Sequence, residues 1–168
     1  DAVPSWDGNT DKLAQWITRL NDIADRSSTI RIQLGSVASD RFTDRAQQWW
    51  CSLSVADRQK YRSSWDNLRD AIGEYWMNLA WVDKTREQAR RARYRDYKHP
   101  DETPSDYFMR KKELYDLVHN VTEIELIRAI MRGAPQEWSA LLQDHKVTSI
   151  SELQKLIAQL EDKLLALE

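Results

Sequence analysis

Residues 64–76 read SWDNLRDAIGEYW, and this stretch decides the fold class of the chain. Its large apolar residues, Trp65, Leu68, Ile72 and Trp76, recur at intervals of three and four residues. This spacing places them on one face of an α-helix that packs against a core. Each tryptophan can bury about 150 to 250 Å². With 8 tryptophans, including the adjacent Trp49 and Trp50, the chain has enough aromatic surface to build such a core.

The same periodicity predicts further helices on the N-terminal side of this stretch. Asn9 or Thr10 is a suitable cap for a first helix. Ser54 should cap a short helix that reaches Tyr61, and Ser63 or Ser64 should start the helix of residues 65–77. The apolar positions of the first three helices are Leu13, Trp16, Ile17, Leu20, Ile23 and Ala24; Ile30, Ile32, Leu34, Val37 and Ala38; and Ala46, Trp49, Trp50 and Leu53 within residues 42–53.

The chain changes character at residues 78–82, NLAWV, which we interpret as a domain junction between residues 1–80 and residues 81–168. A charged helix over 83–98 should follow and end before Pro100. Thr103 and Pro104 then form a helix start, and Gly133 should end a later helix. Capping boxes run from Thr122 to Glu125 and from Ser149 to Glu152, with a short helix over 135–143 between them and one long helix after them. We expect an all-α fold with two small bundles of about five helices each.

Composition bounds the class of protein. The chain has 168 residues, of which only 4 are Gly and 4 are Pro, while 41% are apolar and 31% charged, as in a soluble, helix-rich protein without a sheet. The net charge of -2 gives no chain-wide attraction to nucleic acid. Cys51 is the sole cysteine, which excludes an internal disulfide and favours a reducing, cytoplasmic setting. We interpret it as a small apolar residue beside the tryptophan pair.

Catalytic and metal-binding patterns are missing from the sequence. The three histidines, His99, His119 and His145, lie in different predicted elements without a partner at i+4. No nucleophile elbow, phosphate-binding loop or dinucleotide fingerprint occurs. We therefore expect no enzyme, no cofactor and no metal site. The absence of an apolar run of about 20 residues predicts no membrane span, and the start at Asp1 suggests a piece of a longer protein.

The segment 83–98 contains seven basic and three acidic residues, a local charge of +4. Arg90, Arg91 and Arg93 are candidate RNA contacts, since phosphate binding requires such a cluster. The alternative is a solvated helix face on which Glu87 pairs with Arg90 or Arg91. A nucleic-acid module usually has a basic pI over the whole domain, and the pI here is about 6.0, which favours the alternative.

Four blocks of sequence together resemble a known family. They are Ala46-x-x-Trp49-Trp50; Ser64-Trp65-x-x-Leu68-x-x-x-Ile72-x-x-x-Trp76; the run from Pro104 to Tyr115; and Glu125-x-x-Ile-Arg-Ala-Ile130-Met-x-Gly133. Their order and spacing are similar to the Gag capsid region of gypsy-class long-terminal-repeat retrotransposons and to the capsid-like part of the domesticated neuronal protein Arc. The resemblance runs from about Trp6 to Leu167, and its two middle blocks are the most specific.

The resemblance implies a structural capsid protein with an N-terminal and a C-terminal lobe. Copies would form a homo-oligomer, through a dimer of C-terminal lobes and higher capsomers, and assemble in the cytoplasm into virus-like particles around RNA. The zinc knuckle that carries RNA binding in such polyproteins is absent from this sequence. RNA cargo would therefore be bound mainly by regions outside this chain.

The resemblance also assigns structural positions near residue 100. Retroviral capsids carry a Gln-Gly pair before the glutamate of their major homology region, whereas this chain reads Lys98-His99-Pro100-Asp101-Glu102. The retrotransposon version fits better and places Glu102, Tyr107, Arg110 and Leu114 in the motif. The sequence leaves open whether Glu102 and Arg110 bond to each other.

A self-association edge is predicted on the helix that follows Thr122. On a helical wheel its apolar side chains span about 160°, wider than the roughly 100° that covers one core. The resemblance places the dimer contact of C-terminal lobes on this helix. The candidate contact residues are Ile124, Leu126, Ile127 and Ile130, and the alternative is a small lobe that buries them all.

A second hypothesis is a Gag-derived scaffold that binds partner peptides in a groove of the N-terminal lobe. The candidate groove residues are Trp6, Trp16, Phe42 and Trp50. The alternative, which we favour, is that these aromatic residues are core and that the N-terminal tail packs over them.

Overall fold

The computed structural model describes residues 3–167, and this part of the chain is all α-helical, as the sequence predicts. It contains no strand there; one isolated bridge pairs Trp6 with Phe42 in parallel. The residues separate into two compact units, and the division falls between Trp81 and Val82.

The first unit contains five helices and the start of a sixth. They are α1 (Leu13–Ala24), α2 (Ser28–Ser39), α3 (Asp44–Ser52), α4 (Val55–Tyr61) and α5 (Trp65–Trp76). Ser54 and Ser64 cap α4 and α5 as predicted, since each side-chain oxygen accepts a backbone N–H of the first turn. The predicted cap of α1 is wrong. Lys12 occupies that position without a side-chain bond, and Asn9 instead accepts the N–H of Asp11 in the preceding turn.

An aromatic cluster forms the core of the first unit. Trp65 is fully buried, and its indole N–H donates to the side-chain oxygen of Asn21 at 2.8 Å, so its one polar atom is satisfied. Gly35 lies where α2 meets the start of α5, and a Cβ there would stand 2.6 Å from the carbonyl oxygen of Ser64. Only glycine allows this close approach of the two helices.

Helix α6 (Leu79–Arg91) crosses the division between the units, and five helices follow it. They are α7 (Pro104–Val118), α8 (Glu123–Arg132), α9 (Trp138–Leu142), α10 (Ile150–Gln159) and α11 (Glu161–Leu165). The predicted caps Thr103, Thr122 and Ser149 each accept a backbone N–H of the first turn. The predicted end of the charged helix at residue 98 is wrong by seven residues. The predicted long last helix is interrupted at Leu160.

The core of the second unit surrounds α7. Tyr107, Phe108, Ile130, Trp138 and Leu153 are at most 1% exposed and belong to one apolar cluster. Gly133 ends α8 as predicted, but with φ near −86°, so a left-handed conformation does not explain it. A Cβ at this position would lie 2.6 Å from the carbonyl oxygen of Ala92. The glycine is needed because the chain passes so close to its neighbours.

Candidate functional site

A charged network in the second unit holds the segment between α6 and α7. The guanidinium of Arg110 donates to both carboxylate oxygens of Glu102, at 2.6 and 2.9 Å. A further N–H of Arg110 reaches the carbonyl oxygen of Arg93 at 2.8 Å. The Glu102 side chain is only 4% exposed. This paired geometry is the strongest form of an ion pair, and it answers the question that the sequence left open.

The rest of the network completes the hydrogen bonds of Glu102 and Asp96. The backbone N–H of Arg95 donates to Glu102 at 3.1 Å, and Asp96 faces both His99 and Arg110. Burial alone would raise the pKa of Asp96. The hydrogen bond from His99 and the positive charge of Arg110 outweigh it, and the pKa lies below its ordinary value.

The backbone bonds of Tyr94 and Arg95 explain why the helix does not continue to residue 98. The N–H of Tyr94 donates to the carbonyl oxygen of Gly133 and that of Arg95 to Glu102. The φ of Arg95 is 54°, in the left-handed region that ordinary residues rarely adopt. The turn brings its backbone N–H to Glu102, which Arg110 of α7 binds, so this contact replaces the helical bonds that this segment was predicted to form.

Tyr107 and Leu114, the other two positions of the motif, lie on the inner side of α7. The hydroxyl of Tyr107 donates to the carbonyl oxygen of Ile130 at 2.6 Å. Burial raises its pKa, which keeps it a donor. Leu114 is half-buried against the core. The four residues Glu102, Tyr107, Arg110 and Leu114 thus tie α7 to the preceding segment and to α8.

Lys111 is a buried cation that the sequence analysis missed. It is 2% exposed, and its ammonium donates to the carbonyl oxygen of Ala92 at 2.6 Å, just beyond the end of α6. Burial, together with the positive charges of Arg110, Arg132 and Arg93, lowers its pKa to about 8. A usable signal was its spacing of four residues from both Tyr107 and Tyr115, which puts it on the buried face.

The predicted self-association edge is corrected by the structure. Leu126, Ile127 and Ile130 are 6%, 3% and 0% exposed and pack in the core of the second unit, so they offer no contact surface. Ile124, in the first turn of α8, is 50% exposed. The wide apolar arc on α8 therefore serves the small core, and only its edge at Ile124 faces solvent.

The candidate peptide groove is also corrected. Trp6, Trp16, Phe42 and Trp50 are each at most 7% exposed and belong to the core of the first unit. The chain's own N-terminal segment covers them, because the indole N–H of Trp16 donates to the carbonyl oxygen of Pro4 at 2.9 Å. The Trp6 backbone also bonds to Arg41 and Thr43.

The candidate RNA contacts lie on the surface. Arg90, Arg91 and Arg93 are exposed. Glu87 forms ion pairs with both Arg90 and Arg91, the second at 2.6 Å, as the alternative reading of this segment predicts. Such pairs reduce the charge that the helix face presents to phosphate.

Among the described residues, the cysteine and the histidines do not form a cluster that could bind a metal ion. Cys51 is exposed, which corrects its interpretation as a small apolar residue packed beside the tryptophan pair. His99 contacts Asp96, and His119 stacks on Tyr115 at 4.5 Å between ring centroids. Within residues 3–167 no three His, Cys, Asp or Glu side chains are grouped so that they could hold a metal ion. In the same range no helix is both long and apolar enough to cross a bilayer.

Comparison with known proteins gives no match: no protein-family model, no characterised protein and no solved structure matches this chain. Inferences about function therefore rest on the residues and their geometry.

Proposed function

We propose that this chain is a structural capsid protein of a gypsy-class retrotransposon Gag, or of a gene derived from one, and that it performs no catalysis. The observation that supports this most is the geometry around Arg110. The resemblance selects Glu102, Tyr107 and Arg110 as structural positions, and Arg110 bonds both oxygens of Glu102 while Tyr107 bonds α8. A motif built for shape rather than chemistry should look like this, with every polar atom used inside the fold.

Self-assembly of copies is the activity that the proposal requires. Particles would form in the cytoplasm and enclose RNA, which segments outside this chain would mainly bind. Arg93 and the partly neutralised Arg90 and Arg91 offer a weak accessory surface at most. Exposed apolar residues such as Ile124 provide contact area for oligomers.

Negative-stain microscopy and light scattering across protein concentrations test the proposal. We expect species that grow with concentration into capsomers or closed shells. A chain that stays monomeric at every concentration and salt condition would contradict the proposed function.

A peptide-binding scaffold is the alternative, and one observation favours it. Trp6 pairs with residues 41–43 through backbone bonds of 3.2 and 2.9 Å, in the manner of an added strand. An extended peptide that displaced residues 3–8 could reuse these bonds. A chain that binds peptides as a monomer or dimer, without larger assemblies, would select this alternative.

A further inference from the structure

Three of the four glycines are explained by contacts inside the chain. Gly8 has a φ of 89°, and at Gly35 and Gly133 a Cβ would lie within 2.6 Å of a backbone oxygen. Gly73 differs, because a Cβ there would meet nothing within 4 Å. A glycine inside a helix costs about 0.5 to 1 kcal/mol relative to alanine. The fold of this chain therefore gives no reason for glycine in the middle of α5.

Gly73 lies in an open groove of the first unit, with a volume of about 460 Å³. The α5 side of the groove consists of Asp70, Gly73, Glu74 and Met77, which follow each other at intervals of three and one along the same helix face. Ile17 of α1 also lines the groove and, with Met77, supplies its apolar side chains. A side chain at position 73 would project into this open space, and glycine leaves it free.

The free charge in the groove is negative. Arg69 also lines it, but its guanidinium is occupied by Asn21 at 3.1 Å and Asp66 at 3.2 Å. Asp70 and Glu74 are exposed, and neither forms an ion pair within residues 3–167. Two carboxylates beside the apolar side chains of Ile17 and Met77 are complementary to a ligand that combines apolar and basic side chains.

The geometry points to a docking site for a basic amphipathic helix of a partner protein, seated over Gly73. Two helices approach most closely where a side chain is absent. The apolar face of the partner would lie on Ile17 and Met77, and its lysines or arginines would pair with Asp70 and Glu74. This site goes beyond the proposed assembly of identical copies and does not depend on it.

The test uses the full chain and a fluorescent 18-residue peptide of leucine and lysine, designed as an amphipathic helix, with a leucine and glutamate twin. We expect saturable binding of the lysine peptide alone, with the methyl signal of Met77 shifting in NMR spectra and that of the exposed Met109 unchanged. Gly73→Leu should weaken binding by about tenfold or more while raising the melting temperature, since leucine is a better helix former. Weaker binding together with a higher melting temperature would show that the substitution blocks the docking site and does not damage the fold.

A charge-matched pair of variants completes the design. Asp70→Asn/Glu74→Gln should weaken binding by about tenfold and reduce its salt dependence. The control Asp101→Asn/Glu137→Gln removes the same charge from exposed positions of the second unit and should change affinity by less than about twofold. Equal weakening by both pairs, equal binding of the twin peptide, or unchanged affinity of Gly73→Leu would overturn the site. If Gly73→Leu instead dissociates oligomers of the chain, the occupant is a second copy and the proposed partner is wrong.

Discussion

At the scale of single residues, Lys111 shows how a charge is kept inside a small core. Its ammonium lies beside carbonyl oxygens at the end of α6, where the helix dipole is negative. No carboxylate contacts it among the described residues. Burial and three neighbouring arginines lower its pKa to about 8. The protonated form is therefore less favourable in the folded chain than in the unfolded one.

The stability of the second unit should consequently rise with pH. Between the folded pKa of about 8 and the unfolded value of 10.5, the unfolded chain binds the extra proton, so raising pH favours folding. The difference between the two pKa values corresponds to about 3 kcal/mol in all, of which about 2 kcal/mol should be gained between pH 7.5 and pH 10. Urea unfolding at pH 7.5 and pH 10 measures it, and the gain in the free energy of unfolding should shrink in Lys111→Met.

Lys112→Met is the matched control for this prediction, since Lys112 is the next residue of α7 and pairs with Asp116 at the surface. Its pH profile should follow that of the unchanged chain, which corrects for the other lysines and tyrosines. If Lys111→Met keeps the full gain, the buried ammonium does not cause it.

The sequence correctly predicted the roles of residues whose contacts are local. It did not predict roles that depend on contacts with residues far away in the chain. Ser64, Thr103 and Thr122 cap helices as predicted, because a cap involves only the next three residues. The sequence correctly predicted that a helix ends at Gly133, but it attributed this to helix termination. The structure shows that glycine is needed there because the backbone approaches Ala92. That contact joins residues 41 positions apart, and no local pattern encodes it.

At the scale of elements, the segment between α6 and α7 depends on one side chain. Arg110 bonds Glu102, Asp96 and the backbone of Arg93. The sequence predicted the start of α7 at Pro104 but continued α6 to residue 98. Beyond the end of α6 the chain passes through the left-handed Arg95, whose backbone N–H binds Glu102, and Glu102 is in turn bound by Arg110 of α7.

Arg110→Met should therefore destabilise the second unit strongly. It leaves the carboxylate of Glu102 buried without its partner, which costs about 3 to 5 kcal/mol. Denaturant unfolding measures the loss, and hydrogen exchange should show it first in residues 92–103. The exposed pair of Lys112 and Asp116 provides the comparison, because Lys112→Ala should cost less than about 1 kcal/mol.

The double variant Glu102→Leu/Arg110→Met distinguishes pairing from simple packing. Removing both charges leaves no unpaired buried group, so stability should recover relative to Arg110→Met alone. A double variant as unstable as the sum of the two single variants would mean that the pair contributes no coupling.

At the scale of the whole molecule, composition predicted the all-α fold class, and the structure shows which apolar residues are buried. Each unit has its own buried cluster, aromatic in the first and mixed in the second. A bundle of this size has few residues to spare, and the first unit uses all of Trp6, Trp16, Phe42 and Trp50 for its core. Among the described residues, the exposed apolar side chains and the groove at Gly73 remain as candidate contact surfaces.

Ile124 is the exposed residue on which the predicted self-association now depends. Ile124→Asp should shift the onset of assembly to higher protein concentration, because it puts a charge into an apolar contact. The fold should survive, since aspartate in the first turn of α8 suits the helix dipole. Light scattering measures the concentration at which assembly begins, and circular dichroism shows whether the fold is kept.

Val55→Asp is the control variant. It changes a 63% exposed residue in the first turn of α4 in the same way and should leave assembly unaltered. If both variants assemble like the unchanged chain, α8 does not form the contact between copies, whereas an equal delay in both would indicate nonspecific association of apolar surface.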